Sequence, residues 1–433
     1  AGYTKTAMQL ADAGDFQTAL AWASVSHDHA KSINLNPTII AEHQVRIMAI
    51  RSHLPTLIGY LQRSNSPLLT IYSPTAKALA TVTLRDSPQD TTVQLFRGNT
   101  LQQLHPPFFI ALSASAIAFS SDGQHLIVAG TSKELPIANE LILISLSDLS
   151  VQRFSLSIPG QITTLAATGD RIVLGTNQGL LNTYEFPGIA LQHSVTAHRG
   201  AISTISLSPD LSMAATGSMD ATARLWELDT LAPLSISMKH KSAVIDVRFS
   251  KVSNNVITTA INGFSLSWDS TLFLTKPRLA RGPAPSSNQS VTATAHHPTE
   301  LLFAIGTDNG DVRIFNAPGS DFIAPLSFDS DITTLAFSED ARLLVIGTAA
   351  GKFSIYDFSR RQMMYKSVSH LGSITSVNLS ANNRFLTVTT ATGQIMLWDL
   401  AQPNLAPSQL SAGNDSSMLR LAASQAAVLF VTN

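Results

Sequence analysis

No cysteine occurs among the 433 residues, so the chain has no disulfide, no thiolate metal ligand and no cysteine nucleophile, while the compartment is left open by that count. Charge is scarce as well. Only 13% of the residues are charged and the formal net charge is −1, which argues against a broad nucleic-acid-binding or acidic-membrane surface. No stretch approaches the ~18 apolar residues of a membrane span. The expected location is the cytoplasm; a start at Ala1-Gly2 without Met is also what a removed leader, or excision from a longer polypeptide, would leave. The metalloprotease, serine-hydrolase and dinucleotide-binding motifs are missing too. No cofactor, no metal site and no catalytic residue is expected.

What is present is repetition. Between Ser66 and Ser417 one pattern recurs eight times: an apolar strand, a Ser-Pro-Asp-type turn, a second strand ending in Gly-Thr or Gly-Ser, a polar turn, and a strand ending in an aromatic residue. The copies open near Leu68, Ile110, Ile162, Ile202, Val244, Val291, Ile332 and Ile374. A period of roughly 40 to 45 residues with four short strands per unit marks propeller blades. A single such sheet cannot bury both its faces, so the copies must seal one another around an axis. Eight complete units favour eight blades over the competing count of seven. After Asp415, MLRLAASQAAVLFVTN reads as half of a ninth unit.

The clearest copy, Ala197 to Asp229, reads AHRGAISTISLSPDLSMAATGSMDATARLWELD. It resembles the WD-repeat family of β-propellers: His198, Ser218, Asp220 and Trp226 stand where that family has a hydrogen-bonded His, Ser/Thr, Asp and Trp. Other copies keep parts of the set. One has His240 and Trp268, with Ala260 and Asn262 at the two remaining positions; another has His370, Thr390 and Trp398, with Thr392 in place of Asp. The resemblance assigns these residues to the scaffold. Repetition at blade spacing says the same, since a catalytic site would occur once.

Upstream, from about Tyr3 to Arg63, the apolar period lengthens toward 3.6. Ala7, Leu10 and Ala11 precede a Gly14-Asp15 break, Phe16, Ala19, Leu20 and Ala23 follow it, and a third helix is expected after Asn36-Pro37. Residues 1–66 are therefore expected to be a short helical collar and residues 67–433 the propeller. The stretch Leu10 to Leu69 resembles the collar that precedes the propeller in large bacterial WD-repeat proteins, signalling ATPases among them. That likeness implies a sensor or regulatory module of a multidomain bacterial protein.

Two copies are long. Thr131 to Glu140 interrupts the second copy and Lys276 to Ser290 the fifth. Both are expected on one rim, where Lys133 and Glu134, and Lys276, Arg278 and Arg281 beside several prolines, form a candidate edge for another protein or another part of the same chain.

Three constellations mimic chemistry. Gly347 to Ser354 imitates a phosphate loop, but its glycines stand one residue too close, and it reads as a turn between strands rather than a helix start. His27, Asp28 and His29 diverge on a helix and read as a solvated face. His296-His297 reads as an exposed turn, and Asp308, Asn309 and Asp311 as a tight turn rather than a calcium loop. Trp226→Ala is accordingly expected to cost far more stability than His297→Ala. The expected function is a non-enzymatic platform for a protein partner. A channel that binds or hydrolyses a small molecule and a structural subunit of a permanent assembly are the competing readings; the first requires acidic, His or Arg side chains converging on the channel.

Overall fold

The computed structural model describes residues 5–7, 9, 16–33, 43, 55–62, 67–73, 75, 77–84, 91–132, 138–250, 255–269, 280–281, 290–298, 302–316, 323–369, 372–380 and 382–400. They form eight four-stranded antiparallel sheets, each joined in simple up-and-down order except the last. We number the sheets as blades 1 to 8 along the chain and letter their strands a to d. The a strands are Pro67–Ser73, Leu112–Phe119, Ile162–Ala167, Ile202–Leu207, Val244–Phe249, Val291–His296, Ile332–Phe337 and Ile374–Leu379. They are innermost: a strands of neighbouring blades approach one another around the ring. The all-β, eight-bladed propeller expected from the repeat is the fold observed.

In blades 3, 4, 6 and 7 the Gly of the Gly-Thr or Gly-Ser pair has a packing reason. A Cβ added to Gly217 would lie 2.8 Å from Val244 Cγ1 of blade 5, and one on Gly306 only 2.3 Å from Ile332 Cγ2 of blade 7. Gly175 and Gly347 meet Ile202 and Ile374 in the same way, each at 2.8 Å. Strand b thus leaves a notch into which the first residue of the next blade's a strand fits. Blade 2 has Ala129 at the equivalent register, whereas blades 1, 5 and 8 have Val82, Thr259 and Thr389. At these last three junctions the inner strands pack less closely, and those of blades 5 and 6 stand apart. The small residue therefore sets the blade spacing.

Hydroxyls on the a strands add a second fastening. Thr163 Oγ1 donates to the Ile202 carbonyl at 2.6 Å, Ser203 Oγ to Val244 at 2.5 Å and Thr292 Oγ1 to Ile332 at 2.5 Å, each bond crossing to the next blade. Blade 5 has Ile245 at this position and makes no such bond. Apolar clusters fill the remaining space between sheets, for example Val173, Ile202, Ile205, Ala214 and Trp226 between blades 3 and 4.

The ring is closed by the chain's early residues. Thr56–Gln62 pairs antiparallel with Gln394–Asp399 as the outer strand of blade 8. The sequence pattern places these residues in the helical collar. Their run TLIGYLQ is short and apolar, which periodicity alone cannot separate from a helix segment, and the open edge of blade 8 decides its state. The helix Phe16–Ser32 (α1) does form, buries Ala19 and Ala23, and rests against strand d of blade 7, Gln362–Ser369. Of the third expected helix only His43 is described, and it is helical; the half-unit after Asp415 lies outside the described residues.

Candidate functional site

Blade 4 carries the relay expected from its sequence, with one substitution of partner. The Trp226 indole N–H donates to Thr216 Oγ1 at 2.9 Å, and Thr216 Oγ1 lies 2.7 Å from His198 Nε2. His198 Nδ1 lies 3.2 Å from Asp220 Oδ2 and 3.0 Å from Thr222 Oγ1. The Asp220 carboxylate can only accept, so Nδ1 carries a hydrogen, and with the imidazole neutral the Thr216 hydroxyl donates to Nε2. Burial favours this, lowering the His198 imidazole against the opposing pull of Asp220. Burial would raise the Asp220 carboxyl, but bonds from Thr222 and the Arg199 N–H hold it below its usual value.

Ser218 is not the relay hydroxyl. It donates to the Gly200 carbonyl at 3.2 Å and accepts the Asp220 N–H at 3.1 Å. Its counterparts Thr176, Thr307, Thr348 and Thr390 each accept a backbone N–H four residues on, fastening the b–c turn. Thr216 and Ser218 lie two residues apart and share one sheet face, so the pattern alone does not separate them. Blade 5 follows suit: Thr258, not Ala260, links His240 Nε2 and the Trp268 indole, both at 2.7 Å. Here, among the described residues, no carboxylate meets Nδ1, and burial lowers the His240 imidazole to about 4. In blade 8 the relay register holds Val388; Trp398 packs edge-on against Phe353 and Asp399 takes a bidentate bond from Arg384. His370 lies outside the described residues.

These relays brace a face made by the b–c turns and the d–a connections. Met219 in the blade 4 turn and Ile261 in the blade 5 turn are 56% and 42% exposed. The connection 240–243 runs between them, bonded through His240 N–H to the Ala221 carbonyl on one side and through the Ala243 carbonyl to the Ile261 N–H on the other. Lys241 on that connection and Arg199 on the preceding one are exposed. Two apolar side chains and two cations thus share one face across adjacent blades.

Of the five residues of the expected rim, the described residues include only Arg281. The insertion in blade 2 joins strands b and c, on this same face; Lys133 and Glu134 lie outside the described residues. In blade 5, Ala280–Arg281 pairs with Leu266 and Ser267 as strand d. Arg281 thus sits on the perimeter strand rather than in a connection on the b–c face, while Lys276 and Arg278 lie outside the described residues.

Two histidine readings change. His27 is buried, 7% exposed on the inner side of α1, rather than solvated. His296 ends strand a of blade 6, and His297 is 9% exposed, its Nε2 3.0 Å from the Ala341 carbonyl and its ring edge-on to Phe337 and Phe358. The turn and hairpin readings of residues 308–311 and 347–354 agree with the positive φ at Gly310 and Gly351.

The sequence reading missed one group altogether. The Asp246 carboxylate, on strand a of blade 5, accepts from Thr294 Oγ1 at 2.7 Å and lies 2.8 Å from His296 Nε2, both on strand a of blade 6. Arg248 Nε lies 3.3 Å from its other oxygen. Burial would raise this carboxyl, yet Arg248, His296 and Thr294 together hold it well below the usual range. Aligning the a strands residue by residue would have exposed it, because no other a strand has a carboxylate at the register of Asp246 or a histidine at that of His296.

A model described as "WD domain, G-beta repeat" matches residues 190–227 and 362–399, each span comprising strand d of one blade and strands a to c of the next. Periodic tryptophan protein 2 homolog of Schizosaccharomyces pombe is 24% identical over 45% of this chain and 25% of its own length. The pre-rRNA-processing protein pro-1 of Caenorhabditis elegans is 25% identical over 56% of this chain and 49% of its own. The chain thus spans half or less of the length of these relatives. Among solved structures, Chaetomium thermophilum Sqt1 bound to the N-terminus of the ribosomal protein L10 superposes with a TM-score of 0.65 at 13% identity, covering 80% of this chain and all of that one. At that identity the likeness speaks for the fold alone.

Proposed function

Taking the chain as an eight-bladed WD-repeat β-propeller, we propose that it is a non-catalytic platform that docks a protein segment on the b–c turn face of blades 4 and 5. The exposed pair Met219 and Ile261, flanking Lys241 with Arg199 close by in sequence to the same turns, carries this reading. Large apolar side chains beside cations suit a peptide with apolar anchors and acidic neighbours. Turns braced by buried relays bind without a large ordering cost. A solved relative in fold, Sqt1, is described as bound to the N-terminus of a ribosomal protein, which is support by analogy of fold only.

A narrower form, a sensor or regulatory module of a larger bacterial protein, rests on the collar likeness of Leu10 to Leu69. The relatives named above are eukaryotic, which favours the broader form. The test is an array of short peptides varying apolar and acidic content, probed with the wild type and with Met219→Asp/Ile261→Asp. Acidic peptides with apolar anchors should bind the wild type and lose the double variant; identical binding profiles would remove this face from the account.

A further inference from the structure

Apart from the phenol of Tyr72, the eight innermost strands carry three ionisable side chains between them, Asp246, Arg248 and His296, and all three fall at the junction of blades 5 and 6. Elsewhere these strands present Ser, Thr, Ala, Asn and apolar residues. A scaffold role would repeat from blade to blade, and this group occurs once. It also sits where the inner strands stand apart, where Thr259 fills the notch that other blades leave open and where Ile245 cannot make the cross-blade hydroxyl bond.

Within the group the division of labour is clear from burial. The Asp246 side chain is 9% exposed and accepts from Thr294 and His296 across the junction, so its place is fixed from blade 6. The Arg248 side chain is 55% exposed although it sits on an innermost strand, so its solvent is that of the channel mouth, on the side opposite the b–c turns. Arg248 Nε forms an ion pair with Asp246 at 3.3 Å, and the two terminal nitrogens, unbonded among the described residues, remain as a fork. A fork of two parallel N–H donors matches the two oxygens of a carboxylate or phosphate. Ala295 and Ala336 at the same register of the next two blades leave room beside it.

We propose that this junction is an oxyanion-binding site on the channel wall, in which Arg248 binds a carboxylate or phosphate group and Asp246, held by Thr294 and His296, is the positioning residue. The group comes either from a small free anion or from an acidic side chain of a docked protein. The site is independent of the b–c turn face.

Isothermal titration calorimetry with inorganic phosphate, with succinate and with a glutamate-rich peptide decides it. Saturable binding of at least one probe is expected, of order millimolar for the small anions. It should weaken roughly tenfold or more in Arg248→Met, whose exposed side chain leaves the fold intact, and also in Asp246→Asn wherever circular dichroism shows that variant folded. Arg153→Met, at an exposed cation on the perimeter strand of blade 2, should bind as the wild type does. Binding of the small anions identifies a free ligand as the source, and binding of the peptide alone, weakened by Arg248→Met, identifies a docked acidic segment. No saturable binding of any probe, or undiminished binding by Arg248→Met, overturns the proposal; loss of partner binding at Met219 and Ile261 bears on the other face and leaves this one standing.

Discussion

Gly217 in blade 4 faces Val244 in blade 5 so closely that a single added carbon would sit 2.8 Å from the valine Cγ1. Gly217→Val should therefore push the two blades apart and cost about 1–3 kcal/mol, as overpacking does. Thr259→Gly, at the equivalent register of blade 5, removes an obstacle rather than adding one, though it also breaks the 3.0 Å bond to Ser265. Chemical denaturation should place Gly217→Val well below the wild type; an unchanged midpoint would show that blade spacing is set elsewhere.

Thr216 stands between two buried partners. Thr216→Val keeps the volume and deletes the hydroxyl, leaving the Trp226 N–H and His198 Nε2 without their shared partner. A loss of about 2–4 kcal/mol is expected, since each orphaned buried group costs about 1–3 kcal/mol. Ser218→Ala removes only a turn bond and should cost ~1 kcal/mol. Equal losses for the two would return the relay to Ser218.

His240 makes stability depend on pH. Its imidazole is lowered by burial from 6.5 to about 4, so the folded chain stays neutral at this site while the unfolded chain takes up a proton. Its contribution is complete above pH 6.5 and is lost as pH falls toward 4, by ~3 kcal/mol at most. His198 acts in the same direction. Denaturant midpoints measured between pH 7 and 4 should fall less steeply for His240→Gln than for the wild type; parallel curves would deny the histidine this role.

Trp226→Ala remains the costlier change in its pair, at about 3–5 kcal/mol for a buried large-to-small substitution. His297→Ala should cost about 1–3 kcal/mol rather than almost nothing, because the ring is buried against Phe337 and Phe358 and bonded to Ala341. Thermal melts of both variants check this; a His297→Ala chain as stable as the wild type would restore the exposed-turn reading.

The array was legible because each blade repeats the same packing requirements. Gly-Thr and Gly-Ser are visible as a motif, and the notch they leave for the next blade explains why they recur. What escaped was decided across blades or at a distance. Thr216 and Ser218 share a face, so only the geometry of His198 chooses between them. Thr56–Gln62 is a strand because blade 8 offers an open edge far along the chain. Asp246 and His296 lie 50 residues apart and meet through neighbouring blades, a relationship that no local window contains. His297, polar and next to a proline, reads as surface until the aromatic residues of blade 7 are placed around it.

Site-specific photocrosslinking from the two sides of blade 4 tests the central claim most directly. A photoreactive residue at position 219, on the b–c turn face, and one at position 211, in the exposed a–b turn on the other side, sample opposite faces of one blade. The account expects a peptide selected from the array to crosslink from position 219 and not from position 211. Crosslinking from 211 alone, or equally from both, would contradict it.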